Sequence, residues 1–208
     1  MHVSIRTARF SDSLIRMGYE LQRELLRKTI HMLIALVPTM VFLLGVGPTL
    51  VLLSAGILVY TYAEVQRING NSVILISRLT QMASRDRDYG HFVLGPVSLG
   101  IGALLALLLY PDPAAAIAIY ALAFGDGISS VVGKLFGRIR IPGTGGKTAA
   151  GSLACFLAIF AAAAAILNDP MKALIIAIGG TLIEALPSKD FDNILIPVGV
   201  GLLVQFLI

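Results

Sequence analysis

Three acids, Glu64, Asp126 and Glu184, stand in runs so apolar that each ionised carboxylate needs a partner or a purpose. A second feature is "IPGTGGKTAAG", Ile141 to Gly151, where clustered glycines precede Lys147 and Thr148. Its spacing is not that of the loop G-x-x-x-x-G-K-[ST], because Ile141 stands where the first glycine belongs. Nor does a buried strand precede it: "AIYALAFGDGISSVVGKLFGRIR" reads as helix. A different phosphate chemistry fits these residues. A divalent ion such as Mg²⁺ binds one or two carboxylates plus substrate phosphates and keeps several waters. Lysine and arginine neutralise the remaining phosphate charge, and glycines let backbone N–H groups point at its oxygens. Phosphoryl transfer asks for little more than such positioning. Asp126 is flanked by Gly125 and Gly127, which permit close approach of a ligand or another backbone. Glu184 is followed by Pro187, which ends the helix and frees backbone groups for a site.

These residues must be carried by membrane helices. The chain of 208 residues is 57% hydrophobic and 13% charged, with mean hydropathy +0.87. Soluble domains carry about 25% charged residues. In a bilayer only helices or a closed barrel satisfy the backbone, and long unalternated apolar runs choose helices. The expected fold is therefore all-α, a polytopic membrane bundle of about seven transmembrane helices. The spans fall near 29–46, 48–65, 92–110, 113–135, 149–167, 171–187 and 193–208. Turns are expected at Pro48, at "PDP" 111–113 and at "NDP" 168–170. Residues 1–28 form an N-terminal cytoplasmic segment and 29–208 one transmembrane catalytic domain, with no removable signal peptide. Phe10, Leu14, Met17, Leu21 and Leu25 recur at helical spacing, with Arg16, Glu20, Arg23, Glu24 and Arg27 between them. That pattern predicts an amphipathic helix on the inner leaflet. The segment "NSVILISRLTQMASRDRD" is too short to span and is expected at the interface as well. Cys155, the single cysteine, is expected as a buried small hydrophobe.

All but Lys172 of the 16 lysines and arginines fall in the N-terminal segment or in loops on one side of this arrangement. That bias places the N-terminus in the cytoplasm and the C-terminus opposite. Asp126 and Glu184 each lie about 20 Å of helix below the outer ends of their spans, and so at matching depth. Glu64 and His31 close the same end, and Asp190, Asp192 and Asn193 lie where the last two spans meet. Glu64 either pairs with Arg67 one turn on or joins the site, and His31 is either a capping group or part of it.

The ordered run Asp126–Gly127, Gly133, Gly137–Arg138, Pro142, Lys147–Thr148 and Gly151–Ser152 resembles the nucleotide-binding region of CTP-dependent lipid kinases. That family includes dolichol, phytol and other polyprenol kinases and a CTP-dependent diacylglycerol kinase, and is distantly similar to phosphatidate cytidylyltransferases. "RKTIH", Gly95–Pro96 and "EALPSKDFDNILIPV" also follow the family order. The resemblance implies transfer of phosphate from CTP to a long-chain lipid alcohol, with Mg²⁺ or another divalent cation. It implies Asp126 and Glu184 as metal ligands and Lys147 with Arg138 on the triphosphate, near Thr148. Gly133, Gly137 and Gly151 would permit close backbone approach. Asp192 and Asn193 would complete the metal or acceptor side, and Arg27, Lys28 and His31 would face the site from the first span. One place departs: the family reads K-[ST]-x-E-G, and here Ala150 replaces the acid.

The expected partners are the lipid alcohol, CTP and membrane lipids, and no nucleic acid. Gly133 and Gly137 also form G-x-x-x-G, which packs helices within or between chains, leaving a homo-oligomer open. In a prokaryote such a multi-pass protein would sit in the cell membrane. Three other readings stand beside the polyprenol-type kinase, one of them a CTP-dependent diacylglycerol kinase. A cytidylyltransferase would attack CTP at the α-phosphate and release pyrophosphate. A small transporter would carry acids along a path, but there is no internal repeat and the polar groups gather at one face.

Overall fold

A computed structural model describes residues 18–71, 73–84, 88, 90–188 and 191–208. Eight helices form among these residues: α1 Gly18–Leu44, α2 Val46–Ile68, α3 Ile74–Ala83, α4 Gly95–Leu109, α5 Ala114–Phe136, α6 Ala149–Leu167, α7 Pro170–Glu184 and α8 Asp192–Leu207. The described residues contain no β-strand, only an isolated antiparallel bridge between Arg140 and Thr148. Four helices, α1, α2, α5 and α6, are long and apolar enough to cross a membrane. The apolar α4 and α8 have 15 and 16 residues, about 22–24 Å of rise, which falls short of a hydrocarbon core of about 30 Å.

Local chemistry explains the boundaries. Pro38 supplies no N–H and crowds the carbonyl four residues back. The preceding residues Leu33–Leu36 accordingly tighten to a 3₁₀ turn inside α1. Between α6 and α7, Asn168 takes the left-handed conformation that ends a helix. Asp169 then caps α7, accepting from Met171 N at 3.0 Å and Lys172 N at 3.1 Å, with Pro170 in the first turn.

α5 is the central post. Its residues Ile117, Ala121 and Leu122 are fully buried and pack with Cys155 and Ile159 of α6, Ile176 of α7, and Ile196 and Val200 of α8. Cys155 is thus the buried small hydrophobe that its apolar run predicts. α1 and α2 turn large apolar side chains outward, with Phe42 87% and Leu58 69% exposed. Apolar surface of that kind suits lipid rather than water. Glu64 closes α2 in a structural role. It accepts from Arg67 Nε at 2.8 Å and Nη2 at 2.7 Å and from Val93 N at 2.8 Å, tying the approach to α4 against α2.

The N-terminal part of α1 differs from the expected interfacial helix. Phe10, Leu14, Arg16 and Met17 lie outside the described residues. From Gly18 onward, however, the helix runs unbroken into the membrane-length segment. Glu24, read from sequence as part of a polar outer face, is instead buried. It accepts from Lys134 Nζ at 2.7 Å and from Ser130 Oγ, and it pairs with Arg27. One turn on, Lys28 pairs with Asp126; beyond it, His31 Nε2 lies 3.0 Å from the Leu122 carbonyl oxygen and 3.4 Å from Asp126 Oδ2. Positions 24, 28 and 31 of α1 therefore meet 134/130, 126 and 122 of α5 in antiparallel register. Two polar stripes at helical spacing close on each other because each buried charge there needs its partner.

Glu24→Ala is expected to lower stability by about 1–3 kcal/mol, the cost of stripping a buried hydrogen-bonded charge cluster. Glu24→Gln, which keeps the bond to Ser130, should lose less. Thermal unfolding in detergent measures both. An effect of Glu24→Ala within about 0.5 kcal/mol, usual for surface substitutions, would return Glu24 to the exposed face.

Candidate functional site

A cavity of about 620 Å³ opens where α5 and α7 end and α6 and α8 begin. Three lysines line it, and each is held by a buried acid: Lys28 by Asp126, Lys147 by Glu184 and Lys134 by Glu24. The acids are each no more than 3% exposed. A π-helical turn over Ala121–Asp126 widens α5 just where Asp126 projects towards α1. The flanking glycines accommodate protein neighbours. A Cβ on Gly127 would meet Met32 Cγ at 2.9 Å, and one on Gly125 would meet Ile159 at 3.1 Å.

The loop from α5 to α6 forms a small laced hairpin above this floor. Ile141 N donates to Lys147 O and Ala149 N to Ile139 O, both at 2.9 Å. Its turn uses Gly145 and Gly146 at positive φ, 69° and 105°, conformations that a side chain would strain. Thr148 caps α6 by accepting from Gly151 N at 3.2 Å. The glycines at 133, 137 and 151 serve a second purpose, close packing of α5 on α6. A Cβ on Gly137 would lie 2.5 Å from Thr148 Oγ1, and one on Gly151 would lie 2.8 Å from the Ser129 carbonyl oxygen. All three also line the cavity, so helix contact and cavity wall are the same surface.

Two buried polar atoms beside this cavity have no hydrogen-bond partner, Glu184 Oε2 and Ser152 Oγ. The other Glu184 oxygen is satisfied by Lys147 and by Ser129 Oγ at 3.0 Å. An unpaired carboxylate oxygen in a buried setting is costly, and a cation or hydrogen-bond donor at the cavity would relieve it. Asp126, Glu184 and Asp192 supply hard oxygen donors to one cavity. No group of three or more acids, histidines or cysteines among the described residues is close enough to cage a metal. That donor set suits Mg²⁺, which takes one or two carboxylates and completes its shell with water and phosphate. Burial alone would lower the Lys147 pKa, but the adjoining Glu184 carboxylate overrides it and holds the ammonium above its ordinary value. Such a raised group loses its proton only at strongly alkaline pH, so Lys147 stays charged throughout the physiological range.

Of the residues predicted from sequence, Lys28, Asp126, Gly133, Gly137, Lys147, Thr148, Gly151, Glu184 and Asp192 line this one cavity. His31 is buried beside it, against Asp126, without forming its wall. Arg138 is exposed and off the wall, and Arg140, two residues on, lines it. Asn193 turns away, donating to Ser98 Oγ at 2.9 Å and Gly95 O at 3.3 Å, and so joins α8 to α4. Ala150 is half-buried and off the wall. Arg27 reaches Glu24, and Asp190 lies outside the described residues. Sequence reading missed Glu24, Ser129, Ser130 and Lys134. The signal for Ser130, Lys134 and Glu24 was present as polar residues four apart on α5 (126, 130, 134) and as Glu24–Lys28–His31 on α1.

Two curated proteins are similar to this chain. It is 26% identical over 148 residues to "Probable phytol kinase, chloroplastic" of Triticum aestivum, covering 62% of this chain and 49% of that protein. It is 25% identical over 195 residues to "Phytol kinase 1, chloroplastic" of Arabidopsis thaliana, covering 85% of this chain and 64% of that protein. The chain thus spans between about half and just under two thirds of the length of these relatives. No protein-family profile matches it, and no solved structure does. The chain is thus distantly similar to phytol kinases.

Proposed function

We propose that this protein is a membrane kinase that transfers the terminal phosphate of CTP to the hydroxyl of a long-chain isoprenoid alcohol. The observation that carries the reading is the ring of three lysine–carboxylate pairs around one cavity, with Glu184 Oε2 left unsatisfied. The likeness to phytol kinases supports the acceptor class, and the resemblance of the Asp126–Ser152 run supports CTP as donor. In this reading Asp126 and Glu184 would hold Mg²⁺, which would supply charge neutralisation for the phosphates. Lys147, Lys28 and Lys134 then transfer from their carboxylate partners to phosphate oxygens. Arg140 lines the cavity as a further cation. The alcohol oxygen bonds to the terminal phosphorus, the bond to the bridging oxygen breaks, CDP leaves, and the hydroxyl proton passes to solvent.

The lysines matter before any ligand arrives. A buried acid is costly unless a cation answers it, and the three lysines supply that cation in the resting site. An orientation with the N-terminus and this cavity at the cytoplasmic face belongs to the same proposal. It rests on the distribution of lysine and arginine.

Purified protein incubated with labelled CTP, Mg²⁺ and a panel of isoprenoid alcohols should yield CDP and the lipid monophosphate. Release of pyrophosphate instead would identify a cytidylyltransferase, and no CTP turnover with any lipid would overturn both readings. Asp126→Asn should remain membrane-inserted with turnover reduced at least about 100-fold, since the cation that neutralises the phosphates would lose one of its carboxylates. Near-normal turnover at saturating Mg²⁺ would remove Asp126 from the site.

Lys147→Ala is expected to weaken CTP binding about tenfold or more, in line with a charge-assisted hydrogen bond of about 1.5–3 kcal/mol. The KM for the alcohol should hardly move. Calorimetry with Mg²⁺ and CTP, in the absence of acceptor, measures the first effect. Unchanged CTP affinity would leave Lys147 as a structural partner of Glu184 alone.

A further inference from the structure

A second, smaller cavity of about 250 Å³ lies among α1, α2 and α4, and its chemistry is the opposite of the first. Ile34, Leu53, Ile57 and Leu99 contribute to its walls, with glycines at 56 and 100. The single side-chain polar group there is the Tyr60 hydroxyl, which is occupied elsewhere, donating to Val93 O at 3.1 Å. The groove therefore offers mainly hydrocarbon contacts, so a head group gains little by entering it.

Its position relative to the polar cavity is set by α1. Lys28 lines the polar cavity and Ile34 lines the groove, six residues or about 9 Å apart along the helix. His31 stands midway, against Asp126 and the Leu122 carbonyl. Ile34 and Leu99 also pack on the cluster that contains Leu122. One ridge of α1 thus passes from phosphate-binding chemistry to purely apolar lining within two turns.

We propose that this groove holds the hydrocarbon chain of the acceptor alcohol, with its hydroxyl directed along α1 towards Lys28 and Asp126. The inference rests on the kinase reading and adds to it a chain-binding site and the residues that set chain selectivity. A chain seated here has its polar end about 9 Å of helix from Lys28 along α1.

Gly56 provides the test. Gly56 lines the groove, and a Cβ built there meets nothing within 4 Å, so a larger side chain is accommodated without displacing a neighbouring helix. Gly100 would not serve, because its Cβ would lie 2.6 Å from Ile57 Cγ1. Gly56→Leu is expected to raise KM for a four-unit isoprenoid alcohol about tenfold or more, the usual effect of a few misplaced methylenes in an apolar pocket. A two-unit alcohol should be affected less, and the KM for CTP should not change. An equal effect on all chain lengths, or none, overturns the proposal. Independently of turnover, a photoactivatable isoprenoid alcohol should label α2 and α4 in the wild type, with labelling displaced by unlabelled alcohol and weakened in Gly56→Leu. Labelling displaced equally well by phospholipid would make the groove an ordinary lipid contact and overturn the assignment. A wild type that is labelled there but phosphorylates no alcohol would sink the kinase reading while leaving the groove as a chain-binding site.

Discussion

A carboxylate buried among apolar helices is stable only when a cation or donors answer it, and this protein answers three of them with lysines. Much of the architecture follows from that constraint. Glu24 and Asp126 fix the register of α1 on α5, because Lys134 and Lys28 reach their partners in only one alignment. Glu184, at the end of α7, draws in Lys147 and so pins the loop between α5 and α6. The same pairs are laid around a single cavity, which makes the packing of the bundle and the electrostatics of the site one arrangement.

Lysine suits this double duty. Its ammonium is a compact charge on a flexible stem, able to leave one oxygen for another with little rearrangement of the backbone. Arginine, used at Glu64, makes the opposite choice. The Arg67 guanidinium grips both Glu64 oxygens in a two-point fork, and Val93 N adds a third bond. That acid is locked into joining α2 to the approach to α4. Two acids at similar positions in their helices therefore differ in role because one has a rigid, complete set of partners. Glu184 retains an oxygen with none.

Glycine is used in two distinct ways near the site. At 145 and 146 it permits backbone conformations that turn the hairpin. At 133, 137 and 151 it lets α5 and α6 approach until a methyl group would collide with Thr148 or the Ser129 carbonyl. The second use leaves bare backbone in the cavity wall at 133, 137 and 151, open to close approach by an anionic ligand. The short helix α8 adds Asp192 to the rim and turns Asn193 the other way, into α4.

The helical class, the positions of the apolar runs and the turn at Asn168–Asp169–Pro170 were legible in the amino-acid sequence, because they follow from composition, periodicity and capping within a few residues. So was the convergence of Asp126, Lys147 and Glu184, since an ionisable group in an apolar run has few reasons to be there. Glu24 was not legible. Its neighbours Leu21 and Leu25 suggest a helix lying at an interface, and nothing local reveals that α5 presents Ser130 and Lys134 to it. Glu64 could not be separated from the site by sequence, because its decisive third partner, Val93 N, is 29 residues away. Nor could Arg138 be distinguished from Arg140, which the direction of the hairpin alone turns towards the cavity. Local pattern determined which residues carry charge into the apolar bundle. Which acid meets which cation was decided only when α1 closed on α5 and the loop folded over α7, because pairing across distant segments depends on helix register and not on spacing along the chain.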